Sequence, residues 1–287
     1  MRIDFRIRPP YKGFLDLDLY ATNTKSPAAP NMFGVGQVEN KSARERDLAK
    51  AISEMDEAGI DVAVIMGRDT PGAHGSVSLE DVAGCCAEYP GRFIGFGGVD
   101  SADPATAAEK IRKIADLGLR GVAFDNGWAN PVMHEDADQL LGLYELCGSL
   151  GLIVSLTSSA FVGPDLSYSD PVRIQRAANA VPGTQFVIPH ASWPWVVEAC
   201  AVALLCPNVF LIPDLYANVP GIPGRETFIS AMNGPLSSKF LYASSYPVRP
   251  IVQSMRDFES LKLESESAAA ILGGNAIRLL GLQEAGQ

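Results

Sequence analysis

Short apolar runs rich in β-branched and aromatic residues alternate along the chain with longer amphipathic stretches. Eight runs read as strands: Ile3–Arg8, Asp61–Gly67, Phe93–Val99, Gly121–Asp125, Leu152–Thr157, Gln185–His190, Val209–Asp214 and Phe240–Ser244. Several of them, such as AVIM, IGFGGV and LIV, are apolar without alternation, as in strands buried on both faces of a parallel sheet. Helical periodicity fills the intervals at Ala43–Ala58, Leu79–Tyr89, Thr106–Leu117, Asp138–Leu150 and Asp170–Ala180. The pairs Ala58-Gly59, Leu117-Gly118, Leu150-Gly151 and Pro182-Gly183 supply stops. Eight such βα units predict an α/β fold, a (β/α)8 TIM barrel in one domain over residues 1–287, with its active site at the carboxyl ends of the strands. The stretch from Pro9 to about Lys41, rich in Pro, Gly and Asn, follows the first strand as a long loop. A loop of that length is expected to be either a lid or a plain insertion.

Composition narrows the class. A length of 287 residues suits one barrel, and 47% apolar residues supply a large core. A net charge of −10 argues against nucleic acid and against anionic membranes as partners. The longest apolar stretch, Val196 to Ile212, is broken by Glu198 and Pro207, so no membrane span is expected. Cys85, Cys86, Cys147, Cys200 and Cys206 form no CxxC pair. Their odd number and the charged amino terminus, MRIDFRIRPP, point to reduced thiols and a cytoplasmic setting.

The first strand carries unusual charge. Strict alternation puts Asp4, Arg6 and Arg8 on one face and Ile3, Phe5 and Ile7 on the other. The apolar trio is then expected against the helices and the charged trio inside the barrel mouth. Asp4 neutralises only part of two guanidiniums, so the remainder invites a carboxylate or phosphate. The alternative is an internal ion network with Asp125 or Asp214. His190 is the candidate acid/base, since imidazole exchanges protons near neutral pH. Asp214, in LIPDLY, is positioned to orient it or to act as a base. Asp125 and Trp128, in VAFDNGW, suit a pocket wall, and Arg68, in IMGRDT, offers a further anion contact. Tyr246 and Arg249 are candidates at the rim, whereas His74 and His134 read as surface residues. Ser158 and Ser159 lie outside any G-x-S-x-G elbow, which gives a serine-hydrolase triad no support.

The blocks MDEAGIDVAVIMG, AEYPGRFIGFGGVD, LGLRGVAF, LYELCGSLGLIV, FVIPHASWPW, FLYASSYP and ILGGNAIRLLGL occur in order across nearly the whole chain. Together they resemble the amidohydrolase-related family that includes aminocarboxymuconate-semialdehyde decarboxylase. The resemblance implies the barrel and a pocket at its mouth; it does not by itself give the chemistry. It also implies a metal held by two histidines of the first strand, by histidines of the fifth and sixth and by an aspartate of the eighth. Here those places hold Arg6, Arg8, Thr157 and Ser245, and only His190 survives. A zinc site needs three or four His, Cys or carboxylate ligands, so neither a metal nor another cofactor is expected. The reading that follows is a metal-independent hydrolase acting on a small anionic substrate, a carboxylate-bearing lactone first among them. A decarboxylase or other carbon–carbon lyase, or a proton-transfer isomerase, is the alternative. A non-catalytic ligand-binding barrel is the opposing class. A homo-oligomer is compatible with the sequence.

Overall fold

The structure is a computed structural model that describes residues 1–20 and 38–283. Seven strands pair in parallel in chain order: β1 (Ile3–Ile7), β2 (Val62–Met66), β3 (Phe93–Val99), β4 (Gly121–Phe124), β5 (Ile153–Leu156), β6 (Phe186–Pro189) and β7 (Val209–Ile212). The expected eighth strand, Phe240–Ser244, is not a regular ladder. It closes the barrel through isolated bridges, Leu211 to Phe240 on one side and Ile7 to Tyr246 on the other. Three backbone bonds seal the seam: Leu241 N to Leu211 O at 2.9 Å, Phe5 N to Tyr242 O at 2.8 Å, and Arg8 N to Tyr246 O at 2.9 Å. The ladder fails there because the Asp4 carboxylate, rather than a backbone carbonyl, accepts the Ser244 N–H at 3.0 Å.

The same aspartate marks a second departure. Asp4 pairs with Ala63 and Ile7 with Ile65, so β1 spends three residues where β2 spends two. Such a bulge breaks strict alternation. Ile3 and Phe5 accordingly lie inside the barrel, where Phe5 meets the edge of Phe96 at 5.9 Å, while Ile7 joins the layer under the helices. The expectation that Ile3, Phe5 and Ile7 share the outer face is therefore corrected. Arg6 and Arg8 do point inward at the mouth, but Asp4 does not accompany them.

Two apolar layers result. Inside the barrel, Val64, Phe96, Ala123, Ile153, Val187 and Ile212 pack together with Ile277 and Leu280. Those last two belong to the helix Asn275–Leu280, which plugs the amino end of the barrel. Outside, helices cover the sheet. α1 (Lys41–Glu45) and α2 (Leu48–Glu57) replace the single helix expected over Ala43–Ala58. Arg46 adopts a left-handed φ of 54°, and the Asp47 side chain restarts the helix by capping Lys50 N at 3.0 Å. α3 (Leu79–Glu88), α4 (Pro104–Asp116), α5 (Asp138–Ser149) and α6 (Pro171–Ala180) fall within two residues of expectation. The long apolar stretch resolves into α7 (Val196–Leu205) followed by β7, and no helix among the described residues is long and apolar enough to cross a membrane. All five cysteines are free.

Of the loop expected over 9–41, the described part is ordered. Residues Lys12–Asp16 form a 3-10 turn, and Phe14, Leu17 and Tyr20 are buried. Residues 21–37, on which the lid expectation mainly rests, lie outside the described residues.

Candidate active site

Side chains from six of the eight β-α junctions converge at the carboxyl ends of the strands. Asp214, after β7, is the hub. Its Oδ1 faces His190 Nδ1 at 3.1 Å, and its Oδ2 accepts from Ser245 Oγ at 2.7 Å. Arg6 Nη1 donates to Ser245 Oγ at 3.0 Å and lies 3.7 Å from Asp214 Oδ2. Opposite, Arg68 Nε donates to Asp125 Oδ2 at 3.1 Å, and its guanidinium sits 4.9 Å from the centre of the Trp128 ring. Arg8 lies between the two groups. It is buried, feels both Arg68 and Arg6, and makes no ion pair among the described residues. The Nε atoms of Arg6 and Arg8 are buried without hydrogen-bond partners among the described residues.

Backbone strain is concentrated here. Eight non-glycine residues among those described have positive φ, and five of them are His190, Ala191, Ser192, Asp214 and Ser245. Asp214 stands furthest from ordinary conformations, at φ 41° and ψ −121°. Each such residue costs on the order of 1–3 kcal/mol and persists only where its surroundings dictate it. The strain lies on the residues that carry the polar hub.

Charge states follow from these contacts. Burial lowers the His190 pKa below its usual value, and the opposing pull of Asp214 does not restore it, so the ring is neutral at neutral pH. With Nδ1 engaged by Asp214, Nε2 is left for chemistry. Burial raises Asp214, but His190, Arg6 and Ser245 together hold its carboxyl below the usual range. Burial likewise raises Asp125, and Arg68 and Arg8 overcome it, bringing the group to about 2. Burial lowers Arg8 strongly, with Arg68 and Arg6 adding repulsion. Behind Asp125, Glu135 is bonded by Asn126 and by Tyr144; burial lifts it to about 8, so it is protonated at neutral pH.

Arg6, Arg8, Arg68, Asp125, Trp128, His190 and Asp214 thus share the mouth. Tyr246 does not join them. Its hydroxyl lies 2.9 Å from Ser42 Oγ, and the ring is buried in the outer layer. Arg249 pairs with Asp257. His74 is no bystander on the surface: its Nδ1 lies 2.6 Å from Asp18, and its ring meets Trp128 edge-on at 4.4 Å. His134 stacks on Tyr168. Sequence reasoning missed Asp18 and Tyr216. Tyr216 stacks on Trp193 at 4.9 Å and meets the His190 ring at 5.4 Å. Its place two residues after Asp214 was the available signal.

The donor set does not fit the metal that the resemblance implies. Guanidiniums occupy the places of the first-strand histidines and repel a dication, while Thr157 and Ser245 offer neutral hydroxyls. Among the described residues, no group of three or more His, Cys, Asp or Glu is placed to hold a metal ion.

Comparison with known proteins places this geometry. Residues 27–282 match the amidohydrolase family. The chain belongs to that family. A crystal structure of an uncharacterized TIM-barrel protein from Bordetella bronchiseptica superposes on this amidohydrolase barrel with a TM-score of 0.90, at 35% identity over 98% of each chain. The 5-carboxyvanillate decarboxylase of Sphingomonas paucimobilis superposes with a TM-score of 0.65 at 17% identity, over 98% of each chain. A dihydroxybenzoic acid decarboxylase from Polaromonas, solved with bound manganese and an inhibitor, gives 0.67 at 17% identity, over 99% of this chain and 98% of that one. The two decarboxylases share its fold. No curated protein matches the sequence.

Proposed function

We propose that this amidohydrolase is a metal-independent hydrolase that opens an ester or lactone bond in a small carboxylate-bearing substrate. The observation that carries the reading is Arg8, a buried guanidinium with no ion pair among the described residues, set beside a neutral His190 oriented by Asp214. An unbalanced buried cation calls for an anion, and guanidinium takes a carboxylate through two parallel hydrogen bonds. His190 Nε2 then removes a proton from water as its oxygen attacks the substrate carbonyl. Arg6 stabilises the oxyanion. When the carbon–oxygen bond breaks, the imidazolium returns its proton to the leaving oxygen, and hydroxyl and carboxylic acid result. The internal ion network named as the alternative takes up Arg6 with Asp214 and Arg68 with Asp125, and Arg8 stays outside it among the described residues.

Decarboxylation is the second reading, favoured by the names of the two decarboxylases that share the fold. It needs a proton donor to carbon, and a neutral His190 is a poor one. Guanidiniums also stabilise the carboxylate that would have to leave. Incubating the purified protein with small carboxylated lactones, with and without chelator, separates the two: titratable acid without carbon dioxide is expected, undiminished by chelator. Arg8→Met is expected to weaken carboxylate binding by roughly 2–5 kcal/mol with the fold retained. Carbon dioxide release, or activity that chelator abolishes, would overturn the hydrolase reading.

A further inference from the structure

The guanidiniums at the mouth are not equally paired. Three guanidiniums, Arg6, Arg8 and Arg68, meet two committed carboxylates, Asp214 and Asp125. Among the described residues two further carboxylates act on these guanidiniums: Asp4, buried at the seam, on Arg6, and Asp18, at the rim, on Arg68 and Arg8. His190 is neutral, Glu135 keeps its proton behind Asn126, and Asp4 faces the barrel seam. Arg6 and Arg68 each have a carboxylate at ion-pair distance, and Arg8 has none among the described residues. At the rim above, Asp18 lies 4.0 Å from Arg68 Nη1 and is held by His74, so a carboxylate already stands where the far end of a ligand would extend.

From this arrangement we infer that the site selects substrates with a single carboxylate and discriminates against those with a second. This rests on the reading that Arg8 anchors the substrate. The first carboxylate meets Arg8 and the open Nε edge of Arg6. A second finds no other unpaired guanidinium at the mouth among the described residues. It must either strip Asp125 from Arg68 or Asp214 from Arg6, breaking a buried pair, or lie in the field of Asp18. Like charges close together in a partly desolvated space repel strongly, so Asp18 acts against the wrong ligand as much as Arg8 acts for the right one.

The test is isothermal titration of the full chain at pH 7.5 and constant ionic strength with two matched pairs: butyrate against succinate, and benzoate against isophthalate. Each dicarboxylate is expected to bind about tenfold or more weakly than its partner. Asp18→Asn should narrow that gap several-fold by improving the dicarboxylate, and Arg8→Met should remove binding of the monocarboxylates. A dicarboxylate that binds as tightly as its partner, or a gap unchanged in Asp18→Asn, overturns the inference and leaves the anion site standing. Failure of all four acids to bind removes the anion site itself, and the inference with it.

Discussion

His190 receives opposite instructions from its surroundings. Burial favours the neutral ring, Asp214 favours the charged one, and burial wins. A general base must be neutral to act, so kcat/KM should climb with pH along a single limb whose midpoint lies below 6.5, then stay level through pH 7–8. A midpoint above 6.5 would mean that the base is another group. Replacing His190 with Gln should lower turnover by roughly a hundredfold or more while leaving carboxylate binding nearly intact, a split that steady-state kinetics and titration read separately. At this scale the sequence was informative where a residue type was out of place. Arginines among the apolar residues of the first strand and a histidine at a strand end pointed to Arg6, Arg8 and His190, which the structure brings to one mouth. It was uninformative for His74 and Asp18, which sit in ordinary polar loops and meet only because two loops fold together. Tyr246 misled because adjacency to Ser245 along the chain says nothing about direction. Ser245 Oγ faces Asp214 and Arg6, whereas the Tyr246 ring turns toward Ser42.

Between single residues and the barrel stands β1, where one carboxylate does the work of a strand pairing. Asp4 Oδ1 accepts from Ser244 N at 3.0 Å and from Arg6 N at 3.1 Å, joining the bulged strand to the closing segment. Asp4→Ala leaves two buried N–H groups without that acceptor, and a loss of about 1–3 kcal/mol in denaturant-derived stability is expected. Equal stability would mean that the seam is held by its backbone bonds alone. The periodicity that predicted the strands assumes two residues per repeat, and it located all seven regular strands. It did not reveal the bulge, because the cause is a partner some 240 residues away in sequence. The break between α1 and α2 has a local cause, yet a left-handed arginine has no compositional mark. The closing segment reads as a strand in sequence because its residues are apolar and buried. What it lacks is a regular partner.

Stability belongs to the whole molecule, and among the buried carboxyl groups that burial lifts above their usual range Glu135 moves furthest, to about 8, beside Asp4 at about 6. Glu135 is lifted by burial from an ordinary 4.5 to about 8, whereas in the unfolded chain it titrates normally. Across that interval the folded chain keeps a proton that the unfolded chain releases. Its contribution is therefore full below about 4.5 and is lost as pH rises toward 8. Glu135→Gln keeps an oxygen for Asn126 and Tyr144 but cannot ionise, so its melting temperature should match the wild type near pH 4.5 and exceed it at pH 8.5. Melting curves recorded across this range check it, and parallel wild-type and variant profiles would sink the assignment. On the proposed function, two unrelated residues then act at opposite ends of the pH range: protonation of His190 limits activity on the acidic side, and ionisation of Glu135 weakens the fold on the alkaline side. An engineer who wanted activity in alkaline solution would leave the pocket alone and change one side chain behind its wall.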